Sequence, residues 1–377
     1  MQAVAYFGHD VLDAAVRRRI GALEQDGMRV VGFTKRRTDP VDPAWENIDL
    51  GKTKDGALLR RVLSIFTGAF RGWKARRRLK GADIIIARNL DMLACALLVN
   101  KLTGAKLPVI YECLDVHRVM CRDDAIGATL RRLEAWMMSK TEGLILSSPA
   151  FLTEYFEKYH GKQERVSLVE NRMVAGMVTD FNRRPGFLPE KATSKKLHLG
   201  WVGILRCSHS LEVICKLAAK YPDLLQVDLH GIPSLTEVPD FHDKIAPFEN
   251  IVFHGRYKSP EDLESIYKSI DIIWSIDFME AGQNSVWLLP NRIYEGGFFS
   301  VPAIALRDTQ TAKWLESKEV GFIISEPLEE SMDELIMRLV KAPDLIGQKQ
   351  EKLASLDSEV FIQPEGFIKD VVLELTA

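Results

Sequence analysis

Apolar and polar positions along the chain fall into two alternating patterns. Short β-rich runs, such as Val4–Phe7, Arg29–Phe33, Asp83–Ala87, Val109–Glu112, Gly143–Leu146 and Arg165–Val169, are separated by stretches with helical spacing at about 11–26, 91–102, 126–139 and 149–159. A strand-then-helix rhythm of this kind predicts a parallel, doubly wound sheet. The rhythm stops at 181–196, where two prolines, a glycine and several charges lie without periodicity, and this segment is read as a linker. It then restarts. Strands are expected at 197–203, 225–231, 251–255, 271–276, 301–305 and 321–324, with helices near 208–220, 260–269, 293–298 and 311–317 and a helical end. The expected organisation is an N-terminal Rossmann-like domain at 1–180, the linker, a second Rossmann-like domain at 197–360, and a helix at 361–377 that packs back on the first domain. In this α/β class of two doubly wound domains, ligands are expected in a cleft outside the carboxyl ends of the strands, where helix N-termini suit phosphates.

Composition narrows this little. The chain has 377 residues, 46% of them hydrophobic and 27% charged, enough for two globular cores. The longest apolar run, 92–99, is far short of a membrane span. The N-terminus lacks a basic segment and a cleavage site, so no signal peptide is read. The five cysteines include no CxxC spacing, which argues against a zinc site or a disulfide framework and fits a reducing cytoplasm.

Charge adds more. Residues 1–180 carry 29 Lys+Arg against 22 Asp+Glu, a net of +7; the rest carry 21 against 30, a net of −9. The basic excess concentrates between Asp55 and Asp83, which holds eight bases (Arg60, Arg61, Arg71, Lys74, Arg76, Arg77, Arg78, Lys80) and no acid. Leu59, Val62, Ile65, Phe66, Phe70 and Trp73 are interleaved at roughly helical spacing. Such a helix suits the interface of an anionic membrane, and Arg17–Arg19 would add to the patch. A core-packed helix with a solvated basic face is the other reading. No nucleic-acid motif accompanies the charge, and no nucleic-acid partner is expected.

The most informative segment is Leu288–Ala305. Pro290 can set a helix start, with Asn291 and Arg292 in its first turn and Glu295 one turn on. A cation and free amides at a helix N-terminus can grip a diphosphate, and a nearby carboxylate can accept hydrogen bonds from ribose hydroxyls. Leu-Pro-Asn-Arg-Ile-Tyr-Glu followed by Val-Pro-Ala-Ile-Ala resembles the donor-site signature of GT-B glycosyltransferases, in particular bacterial exopolysaccharide enzymes of the broad family-4, succinoglycan and xanthan kind. The resemblance implies that Glu295 binds the nucleotide ribose and that Asn291 and Arg292 lie near the diphosphate. Gly200–Arg206 resembles the start of the family's C-terminal domain, with a backbone turn at Gly203 and Arg206 as a phosphate clamp. Leu229-His-Gly231 matches the strand–glycine landmark that borders the base, which brings in Gly231. The family's further glutamate, eight residues before the second, is replaced by Trp287, and Glu280 is the candidate substitute.

In the N-terminal half, Tyr111–His117 resembles the acceptor-domain stretch of this fold. Asp115 would serve as general base if configuration inverts; otherwise Asp115 and His117 would position the sugar. Glu112 is read as structural. Gly8, His9 and Asp10 follow the first strand, where a glycine permits close approach of an acceptor, although Asp10 can equally cap the helix at 11. No DxD motif occurs, which argues against the GT-A type and removes the reason to expect a metal. The implied function is transfer of a sugar from a nucleotide donor, UDP-linked by expectation, to a lipid-diphosphate-linked acceptor at the inner face of the cytoplasmic membrane, with no cofactor. A sugar-nucleotide 2-epimerase and a non-catalytic sugar-nucleotide-binding scaffold remain open.

Overall fold

The computed structural model describes residues 2–37, 39–53, 58–175, 196–280 and 282–377, with the side chains of 58–61 excepted. The expected linker at 181–196 therefore lies, but for Lys196, outside the described residues. Two compact units emerge: Met1–Met177 with Gln363–Ala377, and Val178–Ile362.

The N-terminal unit is built on a parallel sheet of β1 (Ala3–Gly8), β2 (Arg29–Arg36), β3 (Asn47–Lys52), β4 (Ile84–Arg88), β5 (Val109–Cys113), β6 (Gly143–Leu146) and β7 (Val166–Leu168), ordered β3-β2-β1-β4-β5-β6-β7. β1, β4, β5 and β6 are buried along their whole length, so they read as continuous apolar runs. The chain reverses its direction of winding between β1 and β4, and the loops after these two strands open at that switch point. The helices are α1 (Ala14–Gln25), α2 (Leu58–Lys74), α3 (Arg76–Leu79), α4 (Leu90–Thr103), α5 (Ala125–Met138), α6 (Pro149–Phe151) and α7 (Lys158–His160), the last two joined by a π-helical turn. β8 (Met173–Val174) closes this part of the chain.

Several details depart from the sequence expectation. β3 was not anticipated, because Asn-Ile-Asp-Leu-Gly-Lys is a short polar edge strand with little apolar signal. Helix α1 starts at Ala14, capped by Asp13, whose carboxylate accepts the Ala15 and Val16 amides; Asp10 instead accepts the Leu12 amide at 3.2 Å. The basic segment is not one helix, since it breaks at Ala75 between α2 and α3. Arg18 and Arg19 do not join a surface patch. Both are buried, Arg18 donating to Asn171 O and Arg19 to Glu112 and Gln363.

The C-terminal unit repeats the plan: β9 (Leu197–Leu205), α8 (Ser208–Lys220), β10 (Leu225–Pro233), α9 (Phe241–Ile245), β11 (Ile251–Gly255), α10 (Leu263–Lys268), β12 (Ile272–Trp274), α11 (Asn284–Trp287), α12 (Asn291–Phe298), β13 (Ala303–Leu306), α13 (Gln310–Lys318) and β14 (Gly321–Ile324). The parallel sheet runs β11-β10-β9-β12-β13-β14, with its switch point between β9 and β12. Two further helices, α14 (Leu328–Lys341) and α15 (Asp344–Ser355), follow. The chain then passes through β15 (Ile362–Gln363), which pairs with β8, into α16 (Phe367–Thr376). α16 packs on α1, β6 and β7, and its first free amides are capped by Asp26, which accepts from Gly366 N at 2.7 Å and Lys369 N at 3.1 Å. Both units are thus Rossmann-like.

Candidate functional site

At the switch point of the C-terminal unit, two glycines set the shape. Gly203 (φ +124°) and Gly231 (φ +136°) face each other in register across β9 and β10, and a Cβ on Gly231 would overlap Gly203 O. Only glycine fits there, because the Gly203 carbonyl closes the Gly231 position and both residues take positive φ. Arg292, in the first turn of α12, lies alongside: its Nη2 would be 3.7 Å from a Cβ on Gly203, and its Nη1 donates to Trp274 O at 3.0 Å. The side chain is half-buried beside the glycine turn, and desolvation lowers its pKa. Arg206, just past β9, pairs with Asp277, which follows β12, through Nη2 at 3.1 Å and Nε at 3.3 Å.

Glu295 lies one turn along α12 from Arg292. It is buried, and Tyr267 Oη donates to its Oε2 at 2.9 Å. Burial first, and the Glu295 charge second, push the Tyr267 pKa well up, so the phenol stays a donor. The chain therefore brings Gly203, Gly231, Arg206 and Arg292 together, with Glu295 reached through α12. Asn291 opens α12 and is half-buried. Glu280 stands in the loop before α11, where its amide donates to Ser285 Oγ at 3.0 Å. Sequence reasoning missed Tyr267 and Asp277. A residue following a strand end at the switch point was the available signal for Asp277, whereas nothing local marks Tyr267.

The matching end of the N-terminal unit carries Gly8, His9 and Asp10. Gly8 ends β1 under α1, where a Cβ would meet Val16 Cγ1 at 3.1 Å. His9 Nε2 stands 3.6 Å from Asp13 Oδ2, and its Nδ1 is buried without a protein partner. Burial works against charge on this ring, but Asp13, with help from Asp115, outweighs it and raises the pKa. Asp10 is buried and 3.6 Å from Arg37, and burial raises its pKa despite that neighbour. Asp115 and His117 are exposed on the loop after β5, and His117 Nδ1 accepts the Val119 amide at 3.3 Å, capping a 3-10 turn. Beneath these loops, Glu112 accepts from Arg88 (3.0 and 2.9 Å), Arg19 (2.6 Å) and Tyr6 (2.9 Å), all buried. Burial alone would raise the Glu112 pKa; the two guanidiniums reverse this and lower it to about 2. Among the described residues, no group of three or more His, Cys, Asp or Glu is arranged to hold a metal ion.

No protein-family model matches the chain. It is 36% identical over 338 residues to the succinoglycan biosynthesis protein ExoL of Rhizobium meliloti (strain 1021), covering 88% of this chain and 83% of that protein. The chain belongs to the ExoL family. Its fold is that of the GT-B glycosyltransferases. Anabaena HepE, solved with UDP and glucose, superposes with a TM-score of 0.66 at 15% identity over 100% of this chain and 98% of its own. Sucrose-phosphate synthase from Thermosynechococcus elongatus superposes with a TM-score of 0.71 at 14% identity, with the same coverage. This ExoL-family chain therefore pairs a succinoglycan-type sequence with two Rossmann-like units, each ending in a set of side chains at its switch point.

Proposed function

We propose that this GT-B glycosyltransferase moves a sugar from a nucleoside-diphosphate donor to a lipid-diphosphate-linked oligosaccharide during exopolysaccharide assembly. One observation carries the reading: Arg292 lies against the Gly203–Gly231 pair, where side chains are excluded, with the Arg206–Asp277 pair on the loops after β9 and β12 at the same switch point. Transfer breaks the bond between the anomeric carbon and the donor phosphate and leaves a nucleoside diphosphate. Two guanidiniums fixed in a partly buried site stabilise the charge that develops on that leaving group. Glu295 would accept the ribose hydroxyls. UDP is the favoured nucleotide, in keeping with HepE, whose structures hold UDP and UDP-glucose. Acceptor binding falls to the N-terminal unit, with Gly8, His9 and Asp10 at the rim of β1 and Asp115 and His117 beyond β5. No metal or other cofactor is invoked.

The membrane part of the reading rests on α2. Gly68 and Gly72 face α4, where Cβ atoms would meet Cys95 Sγ at 3.3 Å and Val99 Cγ2 at 2.8 Å. This small side packs inward, and Leu63, Phe66, Phe70 and Trp73 are left exposed. Lys74 and Arg76 sit over the Phe70 and Trp73 rings. Arg71, Arg77 and Arg78 are exposed on the same segment; the Arg60 and Arg61 side chains lie outside the described residues. An apolar stripe with a cationic border fits the anionic inner surface of the cytoplasmic membrane.

A thermal-shift panel of nucleotides and nucleotide sugars tests the donor site. A selective rise with one nucleoside diphosphate, lost in Glu295→Ala, supports the reading. A flat panel favours a scaffold, and release of nucleotide without any acceptor favours a 2-epimerase.

A further inference from the structure

We propose that α5 is a second membrane-contacting element, so that the adjoining helices α2, α4 and α5 rest together on an anionic lipid surface. The inference rests on the membrane reading of α2 and extends it to a helix that carries no basic run. α4 packs against both α2 and α5, which makes the three helices one layer. α5 leaves Trp136 59%, Ile126 50% and Leu133 47% exposed, spaced at i, i+7 and i+10 along one side. Large apolar side chains are thus left open on both helices that flank α4, and such exposure on one layer marks an interaction surface.

The rotation of α5 is fixed from beneath. Its buried face is Gly127, Glu134 and Met137. Glu134 accepts from Tyr111 Oη at 3.0 Å and from Tyr155 Oη, and pairs with His160 Nε2 at 3.0 Å. Turning the helix to hide Trp136 would pull this carboxylate out of its three partners, so the apolar side stays outward. Glu134 is also the only acid between Asp124 and Glu142. The outer side of α5 therefore offers no negative charge, while Arg132 is exposed on it and Lys140 just past its end. Across the layer, α2 and α3 are likewise free of acids and rich in bases. Acids do border the layer, since Arg78 and Arg71 pair with Glu46 and Asp49 at β3 and Asp91 of α4 pairs with Lys35. The exposed aromatic residues of α2 and α5 are nevertheless flanked by cations on their own helices, which is complementary to anionic headgroups over an acyl boundary.

The experiment is co-sedimentation of the full chain with phosphatidylcholine vesicles, with and without phosphatidylglycerol, for wild type, Leu133→Glu/Trp136→Glu and Phe66→Glu/Phe70→Glu. Nucleotide thermal shift checks that each variant folds. Wild type is expected to bind the anionic vesicles, and each double variant to weaken that binding about tenfold or more. Binding unchanged in the α5 variant but lost in the α2 variant overturns the inference and leaves the membrane reading standing. No wild-type binding overturns both. A self-associating wild type that the α5 variant makes monomeric, with vesicle binding intact, assigns the face to a second copy and also overturns it. A second readout covers misfolding: brominated lipids should quench wild-type fluorescence more than that of Trp136→Phe, and equal quenching counts against contact by α5.

Discussion

Tyr267 and Glu295, 28 residues apart, share a buried hydrogen bond of 2.9 Å in which the phenol donates and the carboxylate accepts. The bond ties α10 to α12 and directs one oxygen of the carboxylate proposed to bind ribose. Tyr267→Phe removes the donor and leaves a buried carboxylate with one partner fewer. A loss of about 1–3 kcal/mol in stability by denaturant unfolding is expected, together with a rise in donor KM larger than any fall in kcat. A variant with wild-type donor KM would separate the bond from the donor site.

Arg206 and Asp277 form a paired charge at the C-terminal switch point, half open to solvent. If Arg206 holds the donor diphosphate, the phosphate must displace or share the Asp277 contact. Arg206→Ala should weaken nucleoside-diphosphate binding about 10- to 100-fold, from the loss of a charge-assisted bond of roughly 1.5–3 kcal/mol. Asp277→Asn should weaken it far less, because the cation remains and repulsion of the phosphate is removed. Titration calorimetry reads both. Equal losses in the two variants would assign the pair a structural role.

The parallel sheets were legible because the central strands β1, β4, β5 and β6 bury apolar side chains on both faces and so appear as unbroken runs. The glycine landmarks, Gly203 and Gly231, were legible because a strand end followed by glycine is local information. Long-range polar pairing was not. Arg18 and Arg19 look like part of a surface basic run, yet the partner of Arg19 is Glu112, 93 residues on, and Gln363 lies 344 residues on. Periodicity in α2 showed an apolar stripe but not its direction. The decision came from Gly68 and Gly72, whose lack of side chains lets the opposite side pack on α4. Edge strand β3 and the partner of Glu295 were silent for the same reason: their identity depends on neighbours distant in sequence.

Glu112 offers a test of the buried network in the N-terminal unit. Its carboxylate neutralises Arg19 and Arg88 in a region closed to water, and Arg88 Nη1 already lacks a protein partner. Glu112→Ala leaves two buried guanidiniums uncompensated, which costs about 3–5 kcal/mol. Unfolding midpoints should fall accordingly. Because Arg19 also donates to Gln363 at the start of the C-terminal return, amides of α16 should exchange faster with deuterium in this variant. Unchanged exchange in α16 would show that the hydrophobic contacts of Ile368, Val371 and Val372 and the Asp26 cap hold it without the Arg19 bond.

His230 gives the C-terminal unit a dependence on acid pH. Its ring is buried and stacked on His254 at 4.1 Å, and Nε2 lacks a protein partner. Burial first, and the neighbouring His254 second, lower its pKa to about 4, with Asp228 acting weakly in the other direction. A depressed pKa means that the fold holds the neutral ring. The stabilisation is present above the ordinary histidine value near 6.5 and is lost as pH falls from there through 4. His198 has the opposite sign: its hydrogen bond to Asp228 raises its pKa, so its contribution is full in acid and fades as pH rises through the raised value. Asp228, held down by both histidines against the effect of burial, keeps its contribution until still lower pH. Between about 6.5 and 4 the His230 effect therefore dominates the cluster. Unfolding free energy should drop by about 1–2 kcal/mol over that interval, a discounted figure because His254 beside it meets solvent. His230→Phe keeps the stacked shape without the titration and should flatten the slope; a slope as steep as wild type would place the acid sensitivity elsewhere.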